Sequence, residues 1–271
     1  MTLRLITVLG ICAAFLAPAA TAQSFEEELA NASELTLLPG WQSEDGRYLA
    51  AVMITLAPGW KTYWRDPGGA GIAPAFDWSG SENVAGAEYI WPAPSIFDLD
   101  GTRTIGFADR MILPVLIEPE DANAPVSLRV VADYGVCKDI CVPARGDAAA
   151  EISAATQMNR TLIDTAIAAA PRSGAEAGMV QIACDMAANG DDYTLDIAID
   201  FDQSRDADAV LIEMGSQDYW VAETVHEAQG GGLRIGADVL YFGETPHEFD
   251  PGAVRLTLLG PDGGVDIQGC G

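Results

Sequence analysis

Cys137 and Cys141 stand four residues apart in the stretch Tyr134-Gly-Val-Cys-Lys-Asp-Ile-Cys-Val-Pro143. A disulfide needs its two Cα atoms roughly 4.4–6.8 Å apart, whereas four residues of extended strand span about 13 Å. A bridged pair therefore requires the chain to reverse between the two cysteines, as a turn or a single helical twist. The start of the chain says why a bridge is expected. Met1-Thr-Leu-Arg4 is a short positive start, Leu5 to Leu16 is an apolar run too short to span a bilayer comfortably, and Ala20-Thr-Ala22 precedes Gln23 as a small-x-small cleavage pattern. Residues 1–22 read as a signal peptide, and cysteines in an exported chain become disulfides rather than buried thiols. Ile11 stands where a lipoprotein signal has a small residue, so Cys12 is expected to leave with the signal. No later stretch approaches 18 continuous apolar residues, so the mature chain is expected to be periplasmic and without a transmembrane helix.

Four cysteines then remain, Cys137, Cys141, Cys184 and Cys270, and four allow three pairings. The expected one joins 137 to 141 and 184 to 270. On the chain-entropy model the short loop contributes about 2 kcal/mol and the long one about 4.5 kcal/mol. The Cys184–Cys270 bridge thus has the character of a structural staple, and the small ring needs another reason to exist. Spacing alone leaves that pair open, as a structural or a redox-active bridge. A cramped ring is easier to reduce, and Lys138 stands beside Cys137 to favour a thiolate, with Asp139 partly offsetting it.

From about residue 46 to 152 the pattern is strand. Tyr48–Leu56 is a β-rich run, Ala57-Pro-Gly59 punctuates it, and Trp60-Lys-Thr-Tyr-Trp64 resumes it before a turn-rich loop at Asp66-Pro-Gly-Gly-Ala-Gly71. Ala75–Trp78, Glu88–Trp91, Met111–Glu118 and Ser127–Tyr134 follow at short intervals, the pattern of an antiparallel sandwich. Residues 153–170 are alanine-rich, with Met158, Leu162, Ile163 and Ile167 at helical spacing, and Pro171 stops them. Beyond lie Tyr193–Asp200, in near-strict alternation, then Val210–Met214, Tyr219–Ala222, Leu233–Ile235 and Val254–Leu259. The expected fold is all-β. Two antiparallel sandwiches, over residues 23–152 and 178–271, are joined by a helical linker at 153–177.

The net charge of −26, or −27 without Arg4, repels nucleic acid and anionic lipid. The acids are spread along the chain, which suits solubility more than a dedicated basic partner. His226 and His247, the only histidines, lie at no ligand spacing. Gly68-Gly-Ala-Gly71 leads into neither Lys-Ser/Thr nor a helix, so it is no nucleotide loop. There is no G-x-S-x-G. Trp60, Tyr63 and Trp64 read as sheet packing. No cofactor is expected and no resident metal, although Cys137, Cys141 and a methionine form a soft set that would suit Cu(I).

The stretch from Tyr134 to Pro143 resembles the cysteine hairpin of the periplasmic N-terminal domain of DsbD-type thiol:disulfide interchange proteins, and most closely the suppressor-of-copper-sensitivity ScsB branch. Pro58-Gly-Trp-Lys-Thr-Tyr-Trp-Arg-Asp-Pro-Gly68, Trp91-Pro-Ala-Pro94 and Gly106-Phe-Ala-Asp-Arg-Met-Ile-Leu-Pro-Val115 are similar to that branch in the same order. The resemblance covers residues 40–150 well and the C-terminal half weakly. It implies an immunoglobulin-like sandwich that acts as a protein-disulfide reductase, relaying electrons through Cys137 and Cys141, with Cys141 attacking the client and Cys137 resolving. The implied partners are periplasmic thioredoxin-like or disulfide-isomerase proteins. Phe97-Asp-Leu-Asp-Gly101 falls where the family has a shielding cap loop, which makes Phe97 and Asp98 candidate cap residues; core packing is the alternative for Phe97. Full-length members continue into a membrane electron conduit and a thioredoxin-like domain. This sequence ends at Gly271 without a CxxC motif, so a separate membrane electron-transfer protein is expected to supply the electrons. A binding module with two structural bridges and a Cu(I)-handling accessory protein are the other readings.

Overall fold

The computed structural model describes residues 28–99, 102–190, 192–216, 218–243 and 249–270. The signal peptide, Cys12 and His247 lie outside them. The chain builds four sheets in two pairs. The first sheet runs β1 (Ser33–Gln42), β2 (Tyr48–Leu56), β8 (Arg110–Glu118) and β5 (Gly86–Tyr89). The second runs β10 (Cys141–Ile152), β9 (Val126–Cys137), β3 (Lys61–Gly68), β7 (Thr102–Ala108) and β6 (Ser95–Leu99), with β4 (Ala75–Asp77) also pairing β9. The third orders β11 (Arg172–Ser173), β18 (Val265–Gln268), β17 (Arg255–Leu259) and β14 (Ala209–Glu213). The fourth orders β12 (Met179–Asn189), β13 (Asp192–Phe201), β16 (Gly232–Tyr241) and β15 (Tyr219–Gln229). Pairing is antiparallel except between β11 and β18. The architecture is the expected pair of immunoglobulin-like sandwiches.

The first core is the alternate residues of facing strands: Val52 and Ile54 with Met111, Leu113, Val115 and Ile117 from one sheet, Leu128, Val130, Ala132, Tyr134 and Val136 from the other. β2 reads as an unbroken apolar run because both its faces are covered. Its other face carries Leu49 and Ala51, which pack with Leu38 and Trp41 under Ile163 of α1 (Arg160–Ala168). The short helix between the two sandwiches thus also covers the outer face of the first sheet. It is also shorter than its spacing predicts: Asn159 enters the helix at φ 52°, residues 153–156 form a turn, and Met158 is exposed. Beyond the helix, Arg172–Ser173 pairs with β18, inside the stretch expected as a helical linker.

The second core joins Leu195, Ile197 and Ile199 of β13 to Val210, Ile212, Leu256, Leu258, Val265 and Ile267. Cys184 on β12 and Cys270 after β18 are bonded across it, Cα atoms 5.5 Å apart. The bridge ties the first long strand of this half to the segment after its last strand.

Candidate functional site

The β9–β10 hairpin reverses over Lys138-Asp139-Ile140, closed by the Lys138 N–H donating to the Ile140 carbonyl at 3.2 Å. Cys137 and Cys141 are direct cross-strand partners, bonded, with Cα atoms 4.1 Å apart. The reversal required by their spacing is thus a tight hairpin. The two sulfurs differ in access: Cys137 is 4% exposed, whereas Cys141 lies open on the surface.

Strand parity explains what surrounds them. Along β9 the residues from Val126 to Val136 at even numbers enter the core, so Gly135 and Cys137 point to the opposite face of the sheet. Lys61 of β3 pairs Cys137, and Tyr63 two residues on pairs Gly106. On β6, Phe97 pairs Thr104, two residues along from the Ser95–Gly106 pair. Lys61, Tyr63, Phe97, Thr104 and Cys137 consequently share one face and line one narrow cleft together with Lys138.

Tyr63 is the residue that sequence reasoning missed. Its hydroxyl donates to Cys141 Sγ at 2.9 Å. Two glycines hold the ring: a Cβ on Gly135 would stand 2.7 Å from one ring edge and a Cβ on Gly71 2.5 Å from the other. Gly71 also adopts φ +142°, a conformation that side chains resist. Burial pushes the Tyr63 phenol above its ordinary value, which keeps it a donor at neutral pH. The legible signal was the pair of glycines, one in the Gly-rich loop and one two residues before Cys137. Thr62, turned the other way, donates to the Gly135 carbonyl at 2.8 Å and locks β3 to β9.

Two expectations change here. Lys138 does not stand free beside the cysteines: its Nζ lies 2.7 Å from Glu28 Oε1, and that contact raises its pKa. Lys61 is the other cation of the cleft, with Nζ 4.4 Å from the Phe97 ring centroid. Phe97 sits in a strand of the β6–β7 hairpin rather than in a loop and lines the cleft, with the exposed Asp98 next to it. His226 sits within 2.8 Å of the Ala207 carbonyl, a structural contact in the other sandwich. Among the described residues no group of three or more His, Cys, Asp or Glu side chains is arranged to hold a metal.

Residues 34–152 match the family model described as Thiol:disulfide interchange protein DsbD, N-terminal. Over this stretch the chain is similar to the DsbD N-terminal family. The cysteine hairpin, Tyr63 and the Phe97 hairpin all fall inside it. The chain superposes on the crystal structure of the N-terminal periplasmic domain of ScsB from Proteus mirabilis with a TM-score of 0.63 and 21% identity, covering 88% of this chain and 92% of that one. Both sandwiches are therefore part of a fold seen before. The reduced N-terminal domain of DsbD from Neisseria meningitidis gives a TM-score of 0.26 at 16% identity, over 44% of this chain and 83% of that one. No curated protein matches the sequence. Among the described residues no helix is long and apolar enough to cross a membrane.

Proposed function

We propose that the chain works in the periplasm, after loss of residues 1–22, as a thiol–disulfide relay between a dithiol donor and thioredoxin-like or disulfide-isomerase partners. In this reading residues 23–152 are the redox domain, residues 178–271 a second domain, and Phe97 with its neighbour Asp98 the cap. The observation that carries it is the asymmetry of the pair: an open Cys141 and a buried Cys137 at a hairpin tip, inside the segment that matches a thiol:disulfide interchange family.

The chemistry follows from that asymmetry. In the dithiol form the Cys141 thiolate attacks one sulfur of the client disulfide. A Cys141–client mixed disulfide forms and the client's second sulfur leaves as a thiolate. The Cys137 thiolate then attacks Cys141 Sγ, the client's first sulfur leaves, and two electrons have passed to the client. A donor dithiol, by the reverse steps, restores the pair. Tyr63, donating to Cys141 Sγ, stabilises the thiolate form of the attacking group. The reduction potential of the 137–141 bridge, measured in a Cys184→Ala/Cys270→Ala background, tests the reading. A value within the range of exchange proteins, about −120 to −270 mV, is expected; one well below about −300 mV marks a structural bond and ends the proposal.

A further inference from the structure

β3 does not run straight past β7. Tyr63 pairs Gly106, but the next partners are Gly68 and Thr104, so Trp64 to Pro67 stand opposite Ile105 alone. A bulge of this kind re-aims side chains, and this one aims them at the other sandwich. Trp64, fully buried, packs with Ile105 of β7 and with Leu211 of β14 and Leu259 of β17; Ile96 of β6 lies against the same cluster. Arg65 reaches across with its Nε 3.0 Å from a Glu213 carboxylate oxygen and its Nη2 2.8 Å from Thr257 Oγ1, and stacks 3.7 Å over the Trp64 ring.

Leu211, Leu259 and Thr257 of the third sheet alternate away from the second core, and all three are buried against the first sandwich: Leu211 and Leu259 in one cluster with Trp64 and Ile105, Thr257 in contact with Arg65. On the first-sandwich side, the covered residues are next neighbours of the cleft. Trp64 follows Tyr63, Ile96 precedes Phe97 and Ile105 follows Thr104. One face of β3, β6 and β7 lines the cleft beside Cys137, and residues next to it in sequence on the same strands meet the second sandwich.

We propose that the C-terminal sandwich is a positioning element for the redox pair. Leu211, Leu259 and Glu213 grip the β3 bulge and the base of the β6–β7 hairpin, and so hold Phe97 in the cleft that it lines together with Cys137. The proposal rests on the relay reading for its biological sense, though its test needs no partner protein. With Phe97 in place, an attacking thiol meets Cys141 alone. With the grip loosened, Cys137 opens as a second target.

The experiment uses the full oxidised chain. Dithiothreitol gives the reduction rate of the 137–141 bridge, and glutathione shows which cysteine takes the mixed disulfide, read by mass mapping. In a Leu211→Ala/Leu259→Ala variant the rate is expected to rise about fivefold or more, with a new glutathione adduct on Cys137. Glu213→Gln should move both readouts the same way by less. Adding Phe97→Ala to the double variant should add little, because both changes remove one shield. A wild-type rate and Cys141-only adducts in the folded double variant overturn the proposal, as does a Phe97→Ala effect that multiplies independently. If the double variant does not fold, a wild-type rate and adduct pattern in Glu213→Gln overturns it alone. Failure to exchange with any thioredoxin-like partner, with these shifts present, removes the relay reading and leaves the positioning role standing.

Discussion

The Tyr63 hydroxyl donates to Cys141 Sγ at 2.9 Å, a contact between residues 78 apart in sequence. In the dithiol form the same donor favours the Cys141 thiolate, since a hydrogen bond to a charged group contributes about 1.5–3 kcal/mol. Tyr63→Phe is expected to raise the Cys141 thiol pKa by about one unit. The exchange rate near neutral pH should fall only about twofold, because the more basic thiolate is also the better nucleophile. The pH dependence of iodoacetamide alkylation is the sensitive readout, and an unchanged midpoint would remove Tyr63 from the mechanism.

Burial of Cys137 and exposure of Cys141 assign the order of attack. A Cys137→Ser variant expressed in the periplasm is expected to accumulate a mixed disulfide through Cys141, visible as a reducible high-mass band. Cys141→Ser should accumulate none, because its remaining thiol cannot reach a client. Trapping by Cys141→Ser alone would reverse the roles.

Strand positions were legible wherever local pattern and burial agree. Tyr193–Asp200 alternates because one face of β13 is core and the other is not. Less was legible where burial comes from elsewhere in the chain. β10 alternates weakly, with Cys141-Val-Pro-Ala-Arg-Gly-Asp-Ala-Ala-Ala offering few β-formers, and it exists because β9 supplies its partner residue for residue. β15 continues to Gln229 through polar residues for the same reason, by pairing β16. Within the site the cysteines announced themselves by spacing. Tyr63 did not, because an aromatic in a β-run reads equally as packing, and its contact with Cys141 is set by the register of β3 against β9. The Arg65–Glu213 contact was out of reach altogether, since it depends on how two distinct cores meet.

The Cys184–Cys270 bridge closes a loop of sequence separation 86 across the second core. Cys184→Ala/Cys270→Ala is expected to lower the unfolding free energy by about 2–5 kcal/mol. The reduction potential of the 137–141 pair should stay unchanged under conditions where the variant remains folded. Urea unfolding followed by Trp fluorescence measures the first, and equilibration against glutathione the second. A potential that moves with the staple would show the two bridges to be coupled.

Asp66, inside the β3 bulge, gives a pH test of burial in that bulge. Burial raises its pKa, more than the Gly68 N–H donated at 2.9 Å and the neighbouring Arg65 lower it. A carboxyl with a folded pKa above its unfolded value binds its proton more readily when native. Its contribution to stability is therefore lost as pH rises from the unfolded pKa, about 3.9, through the raised folded one. Asp66→Asn keeps an oxygen for the Gly68 N–H and has no charge to bury. The variant should match the natural chain near pH 3, where both carboxyls are protonated, and should be the more stable of the two at pH 7. Urea midpoints at the two pH values measure this. A difference that does not widen with pH, or that favours Asp66 at pH 7, would mean that attraction to Arg65 outweighs the cost of burial in this bulge.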